Sequence, residues 1–100
     1  MFSQYEKERS LIPKIIHQTW KNEIIPDKWK HAVDKCKQVY ASYEYKLWTD
    51  DTMREFIDMH YNDYLEIYDN YANNIQRCDM FRYFILYHYG GMYIDLDILC

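Results

Sequence analysis

Asp95 and Asp97 stand one residue apart in the run Gly90-Gly91-Met92-Tyr93-Ile94-Asp95-Leu96-Asp97-Ile98, and no other pair in the chain is better suited to chemistry. In a strand, alternation puts both carboxylates on one side with Tyr93, and Ile94, Leu96 and Ile98 on the other. Two like charges so close repel. A hard divalent cation bound through oxygen offsets that repulsion and leaves coordination positions open for phosphate oxygens. The pattern therefore fits a metal and pyrophosphate site; a solvated strand end bearing two acids is the plainer alternative.

Such a pair needs a scaffold, and the chain's periodicities supply one. Pro13 marks the start of a strand over 14–18, where Ile15 and Ile16 together suit burial on both faces. Pro26 and Asp27 open a helix whose apolar stripe is Trp29, Ala32, Val33, Cys36 and Tyr40. The alternating run Tyr43 to Trp48 reads as a second strand. Thr49 or Asp50 caps the next helix, carried by Met53, Phe56, Ile57 and His60. Between Tyr61 and Tyr71 the turn signals Asn62, Asp63, Asp69 and Asn70 predict one short helix and a loop. From Ile75 to Tyr89, Met80, Phe81, Phe84, Ile85 and His88 recur at helical spacing until Gly90 ends the run.

The order strand, helix, strand, helix, helix, strand predicts an α/β domain with a parallel sheet and crossover helices over 11–100, preceded by a polar arm over 1–10. Ligands in such sheets bind beyond the carboxyl ends of the strands, where Trp20, Thr49 and the Asp95/Asp97 pair all fall. Trp20 offers a face on which a base can stack, and Asp79 and Arg82 share a helix face at three-residue spacing. Together these suggest a nucleoside-diphosphate-sugar site. Taken singly, Trp20 also fits core packing, Asp79 and Arg82 an intrahelical ion pair, and His17 a hydrogen-bonded core histidine.

Composition narrows the partners. With 12 Tyr and a formal charge of −4, the chain reads as globular and has no basic stripe of the kind nucleic-acid binding requires. Its three cysteines, Cys36, Cys78 and Cys100, are odd in number and widely spaced, which argues for buried thiols and against a disulfide framework or Cys-x-x-Cys metal site. No run approaches the roughly 18 to 20 apolar residues of a membrane span, and the N-terminus lacks a signal-peptide core.

Four segments in order carry a resemblance: Ile12-Pro13-Lys14-Ile15-Ile16-His17-Gln18-Thr19-Trp20-Lys21, Tyr45-Lys46-Leu47-Trp48-Thr49-Asp50, Ile75-Gln76-Arg77-Cys78-Asp79-Met80-Phe81-Arg82-Tyr83 and Gly90 to Asp97. Over residues 11 to 99 the chain resembles the glycosyltransferase family 32 region with its DXD motif. Within the family it looks most like inositol phosphoceramide mannosyltransferases and initiating α-1,6-mannosyltransferases, and more distantly like the large glucosylating bacterial toxins.

The resemblance implies the N-terminal part of a GT-A (Rossmann-like) domain and a retaining hexosyltransferase. Its donor would be a nucleotide sugar, GDP-mannose being favoured and a UDP-sugar the alternative, and its acceptor a glycolipid or glycan. It implies that Trp20 stacks on the base, that Asp79 and Arg82 hold the donor sugar with Tyr93 close by, and that Asp95 and Asp97 bind ribose and a Mn²⁺ or Mg²⁺ on the diphosphate. Asp95, Asp97 and Arg82 are then the catalytic candidates, since metal and cation stabilise the departing diphosphate. Gly90 and Gly91 would allow close backbone approach to phosphate. Cys78 stands where the family usually has a small residue such as alanine. Family domains continue past the DXD strand with acceptor-binding segments, so this reading makes the domain incomplete at its C-terminus, and a Golgi location would require an anchor elsewhere. Two alternatives remain: a truncated, non-catalytic fragment that binds a nucleotide sugar weakly or only dimerises through its exposed sheet edge, and a haloacid-dehalogenase-type phosphatase using the Asp-x-Asp strand.

Overall fold

The computed structural model describes residues 13–96. The expected arm over 1–10, Asp97 and Cys100 lie outside the described residues. Three strands form one parallel sheet: β1 (Ile15–Thr19) is central, flanked by β2 (Glu44–Trp48) and β3 (Met92–Tyr93). The register sets His17 beside Lys46 on one side and beside Tyr93 on the other. Helix α1 (Asp27–Val39) connects β1 to β2. Helix α2 (Asp50–His60), a 3₁₀ turn (Asn62–Tyr64), α3 (Leu65–Asn70) and α4 (Asn74–Tyr89) lead from β2 to β3. The predicted α/β order holds, and the ambiguous 61–71 stretch is the short helix and turn that its asparagines and aspartates signal.

Local sequence explains the boundaries. Thr49 caps α2 through a reciprocal pair with Thr52, its hydroxyl accepting from the Thr52 amide at 3.2 Å while the Thr52 hydroxyl accepts from the Thr49 amide at 2.8 Å. Asn73 and Gln76 do the same for α4. That helix is apolar around much of its circumference, with Phe81 and Ile85 buried and Tyr83 and Tyr87 exposed. Arg77 ties down the C-terminal end of α3, donating to the carbonyl oxygens of Tyr68, Asp69 and Tyr71.

Helices cover both faces of the sheet. On one, Met53, Phe56, Ile57, Tyr68, Phe81 and Ile85 form the core, and Trp48 of β2 packs edge-on against Phe56 and Phe81. Burial of a side chain such as Phe81 contributes about 1.5–3 kcal/mol. On the other face Lys37 of α1 lies 4.5 Å over the Tyr45 ring, and Val33 and Cys36 are buried. Cys36 is disulfide-bonded, which corrects the expectation of three buried thiols; Cys78 is a free, half-buried thiol.

Strand β1 carries three polar residues in succession, and each is bonded. His17, fully buried, donates from Nε2 to the Gly90 carbonyl at 2.9 Å and accepts at Nδ1 from the Trp48 indole at 3.1 Å. These partners fix the neutral Nε2–H tautomer. Gln18, also fully buried, accepts from the Tyr45 hydroxyl at 2.7 Å and donates to the Asp95 carbonyl at 3.5 Å. Burial pushes the Tyr45 phenol up to about 12, so it stays a donor. Thr19 pairs with the Tyr93 hydroxyl at 2.8 Å.

Strand β3 is shorter than alternation predicts. Its last ladder bond runs from the Ile94 amide to the His17 carbonyl at 3.0 Å. On its other edge β1 continues its ladder with β2, the Trp20 amide donating to the Trp48 carbonyl at 2.9 Å. The ladder with β3 stops at the Ile94 amide although β1 continues through Thr19, so Asp95 stands past the end of β3, exposed, while Leu96 lies in a turn and is buried.

Candidate functional site

All three strands point their carboxyl ends toward a cavity of about 450 Å³. Its lining gathers Thr19, Trp20 and Lys21 after β1, Trp29 of α1, Asp50 of α2, Asn74 and Cys78 of α4, and Tyr93, Asp95 and Leu96 at β3. A second cleft of about 430 Å³ lies beside it, lined by Arg82, Leu86, Tyr93, Ile94 and Asp95. Tyr93 and Asp95 belong to both and form the partition.

Arg82 organises that partition. Its guanidinium carbon sits 4.3 Å over the Tyr93 ring, and its Nη2 lies 3.8 Å from the Asp79 carboxylate and 3.9 Å from the Asp95 carboxylate. These distances are long for ion pairs, and the carboxylates are largely exposed, so the cation is held more by the ring than by either acid. The Arg82 Nε and the Trp20 Nε1 are buried donors without a hydrogen-bond partner. The Tyr93 phenol is pushed up chiefly by burial, against the Thr19 hydrogen bond and Arg82, which pull the other way. It is a neutral hydroxyl at ordinary pH. The Cys78 thiol is likewise pushed up by burial and then by Asp50, which makes it a poor nucleophile.

Of the residues singled out from sequence, Trp20, Tyr93 and Asp95 line the main cavity, and Arg82 reaches it through Asp95 and the Tyr93 ring. Asp79 turns to a separate groove with Tyr71, Gln76 and Tyr83 and touches the site only through Arg82. Gly90 and Gly91 lie at the other end of the sheet. With φ of +72° and +92°, they pack against Pro13 and the Ile15 carbonyl, so their role is closure of α4 onto β1. Sequence reasoning missed Lys21, Trp29, Asp50, Asn74 and Cys78 as lining residues. Only the position of Asp50 just after a strand end carried a signal for them.

The fold is a parallel α/β domain with a cavity at the carboxyl edge of its sheet, the place where such sheets bind ligands. The chain belongs to the family described as the glycosyltransferase sugar-binding region containing DXD motif, which matches residues 26–100. The DXD triplet in the sequence is Asp95-Leu96-Asp97. This membership displaces the phosphatase alternative. Inositol phosphoceramide mannosyltransferase 3 of Schizosaccharomyces pombe is 54% identical over 96% of this chain and 27% of its own length. A mannosyl phosphorylinositol ceramide synthase of Saccharomyces cerevisiae is 53% identical over 90% of the chain and 24% of its own. The initiation-specific alpha-1,6-mannosyltransferase of the same yeast is 27% identical over 88% and 20%. The chain thus spans about a quarter of the length of these relatives. No solved structure matches it significantly.

The donor set suits the divalent cation that the motif implies. Asp95 offers an exposed carboxylate at the cavity rim, an oxygen ligand for a hard ion that keeps other positions for phosphate. Among the described residues no group of three or more His, Cys, Asp or Glu is close enough to enclose an ion. An open site completed by ligand oxygens, with Asp97 outside the described residues, is the arrangement these residues fit.

Proposed function

We propose that this chain forms the donor-binding part of a divalent-metal-dependent, retaining hexosyltransferase of GT-A type that takes mannose from GDP-mannose. The acceptor in this reading is an inositol-phosphate glycolipid, the class after which the two yeast relatives at 53–54% identity are named. One observation carries the proposal: Trp20, Tyr93 and Asp95 converge on one cavity at the carboxyl edge of the sheet, with Arg82 stacked against Tyr93 at its margin.

The chemistry asks three things of these residues. Trp20 supplies an aromatic wall for the base, worth about 1–3 kcal/mol per stacked base. In transfer, the bond from the anomeric carbon to the diphosphate oxygen breaks with its electron pair going to phosphate. The acceptor oxygen bonds the same face of that carbon, and its proton passes to the departing phosphate oxygen. Arg82 stabilises the negative charge that develops, and Tyr93 holds the guanidinium in place as its neutral phenol bonds to Thr19. A divalent ion held by Asp95 and Asp97 would supply further charge stabilisation on the diphosphate.

The test is isothermal titration of the purified chain with GDP, UDP, GDP-mannose and UDP-glucose, with and without Mn²⁺, on wild type and Asp95→Ala. The expected result is metal-dependent binding of the GDP ligands that weakens about tenfold or more in the variant, with its melting temperature little changed because Asp95 is exposed. Equal donor and metal affinity in both proteins would sink the site assignment.

A further inference from the structure

Two carboxylates line the main cavity among its described residues, and the DXD motif accounts for one. The other, Asp50, is held in place. The Asn74 side-chain amide donates to Asp50 Oδ1 at 3.0 Å, and the same nitrogen lies 3.9 Å from the Cys78 sulfur, so α4 braces the head of α2 from across the cavity. The Asp50 backbone amide lies 3.4 Å from the Lys21 carbonyl, which puts the acid one residue from the aromatic Trp20. An ionised carboxylate only accepts hydrogen bonds and has about four lone-pair sites. Asn74 occupies one, leaving Oδ2 and part of Oδ1 for a ligand.

We propose that Asp50 reads the nucleobase of the donor and selects guanine; the inference rests on the donor-site reading above. Guanine presents its N1–H and exocyclic amino group side by side, two parallel donors that match both oxygens of one carboxylate. Uracil presents a single N3–H between two carbonyl oxygens, which a carboxylate repels. Adenine turns the N1 lone pair toward the acid. The acid therefore discriminates by attraction to one base and repulsion of the others. Trp20 and Trp29, both on the cavity wall, provide apolar surface for a purine. Asn74 is a positioning residue: it takes one lone pair and fixes the rotation of the carboxylate.

The experiment is titration of wild type and Asp50→Asn with GDP, UDP and ADP in Mn²⁺. Asp50→Asn keeps the size of the side chain and exchanges one acceptor oxygen for a donor. The expected outcome is GDP preferred by wild type, with GDP affinity falling about tenfold or more in the variant and UDP affinity unchanged or improved. A GDP-to-UDP ratio that is the same in both proteins overturns the assignment, as does a wild type that prefers UDP while still binding in a metal-dependent way. Absence of nucleotide binding in folded wild type overturns the donor-site reading and this inference with it. Should Asp50→Asn fail to melt cooperatively, Asp50→Ser gives the same readout.

Discussion

His17 makes the stability of this domain depend on pH in a calculable way. Burial above all lowers its pKa below the usual 6.5; the Gly90 carbonyl opposes this, Lys46 adds to it and Glu44 offsets it. Protonation would also place a new N–H at Nδ1, where the Trp48 indole already donates at 3.1 Å, so two donors would face each other. The folded state therefore resists the proton that the unfolded chain accepts. The stabilisation is complete above the unfolded pKa and is lost as pH falls below about 6.5 toward the depressed folded value. If the folded form takes no proton across the interval, moving from pH 7 to pH 5 costs on the order of 2 kcal/mol, or roughly 8–16 °C in melting temperature for a chain of this size. The assay is thermal unfolding followed by circular dichroism at half-unit steps over that interval, for wild type and His17→Gln. The variant should start lower, having lost a fitted pair of bonds, and its melting temperature should fall less steeply with acid. His88, also lowered by partial burial and by His60, contributes to the same slope, so His88→Asn serves as the second arm. A wild-type melting temperature flat between pH 7 and pH 5, or a His17→Gln slope equal to wild type, would refute the argument.

Two further substitutions test other parts of the structure. At Gly91 a methyl group would stand 2.5 Å from the Ile15 carbonyl oxygen on a backbone of φ +92°. Gly91→Ala should therefore cost about 2 kcal/mol or more, read as a lowered denaturant midpoint; an unchanged midpoint would show that β1 and β3 separate freely. Trp20→Ala should weaken nucleotide binding by about 1–3 kcal/mol while moving the melting temperature little, since the side chain is only half-buried. A large melting loss at unchanged affinity would return Trp20 to the core.

Elements were legible wherever one local rule decided them. Pro26 with Asp27, the Thr49 cap and the Gly90 stop each mark a helix end by short-range chemistry, and the observed ends fall within a residue or two of them. The length of β3 was not legible, because its ladder ends at the Ile94 amide while β1 runs on through Thr19, and no residue type between Tyr93 and Leu96 marks that end. Convergence of Trp20, Tyr93 and Asp95 followed from the parallel order alone. The Asp50–Asn74 brace did not, since its partners lie in different helices and neither type is unusual at a helix start. Gly90 and Gly91 show the converse limit. Positive φ was foreseeable from residue type, but what presses against them, Pro13 and Ile15, is set by tertiary contact.

The polar trio on β1 has a bearing on how the sheet finds its alignment. Ile15 and Ile16 are nearly interchangeable, and β3 contributes two residues, so oily contacts alone would tolerate a one-position slip between the strands. His17, Gln18 and Thr19 would not. Each reaches a particular atom on a neighbouring segment: the Gly90 carbonyl, the Asp95 carbonyl and the Tyr93 hydroxyl. A slip would strand all three at once, at roughly 1–3 kcal/mol for each buried group left unmatched. The central strand acts as a three-toothed key, and misassembled chains are rejected by the same bonds that set Asp95 at the mouth of the cavity.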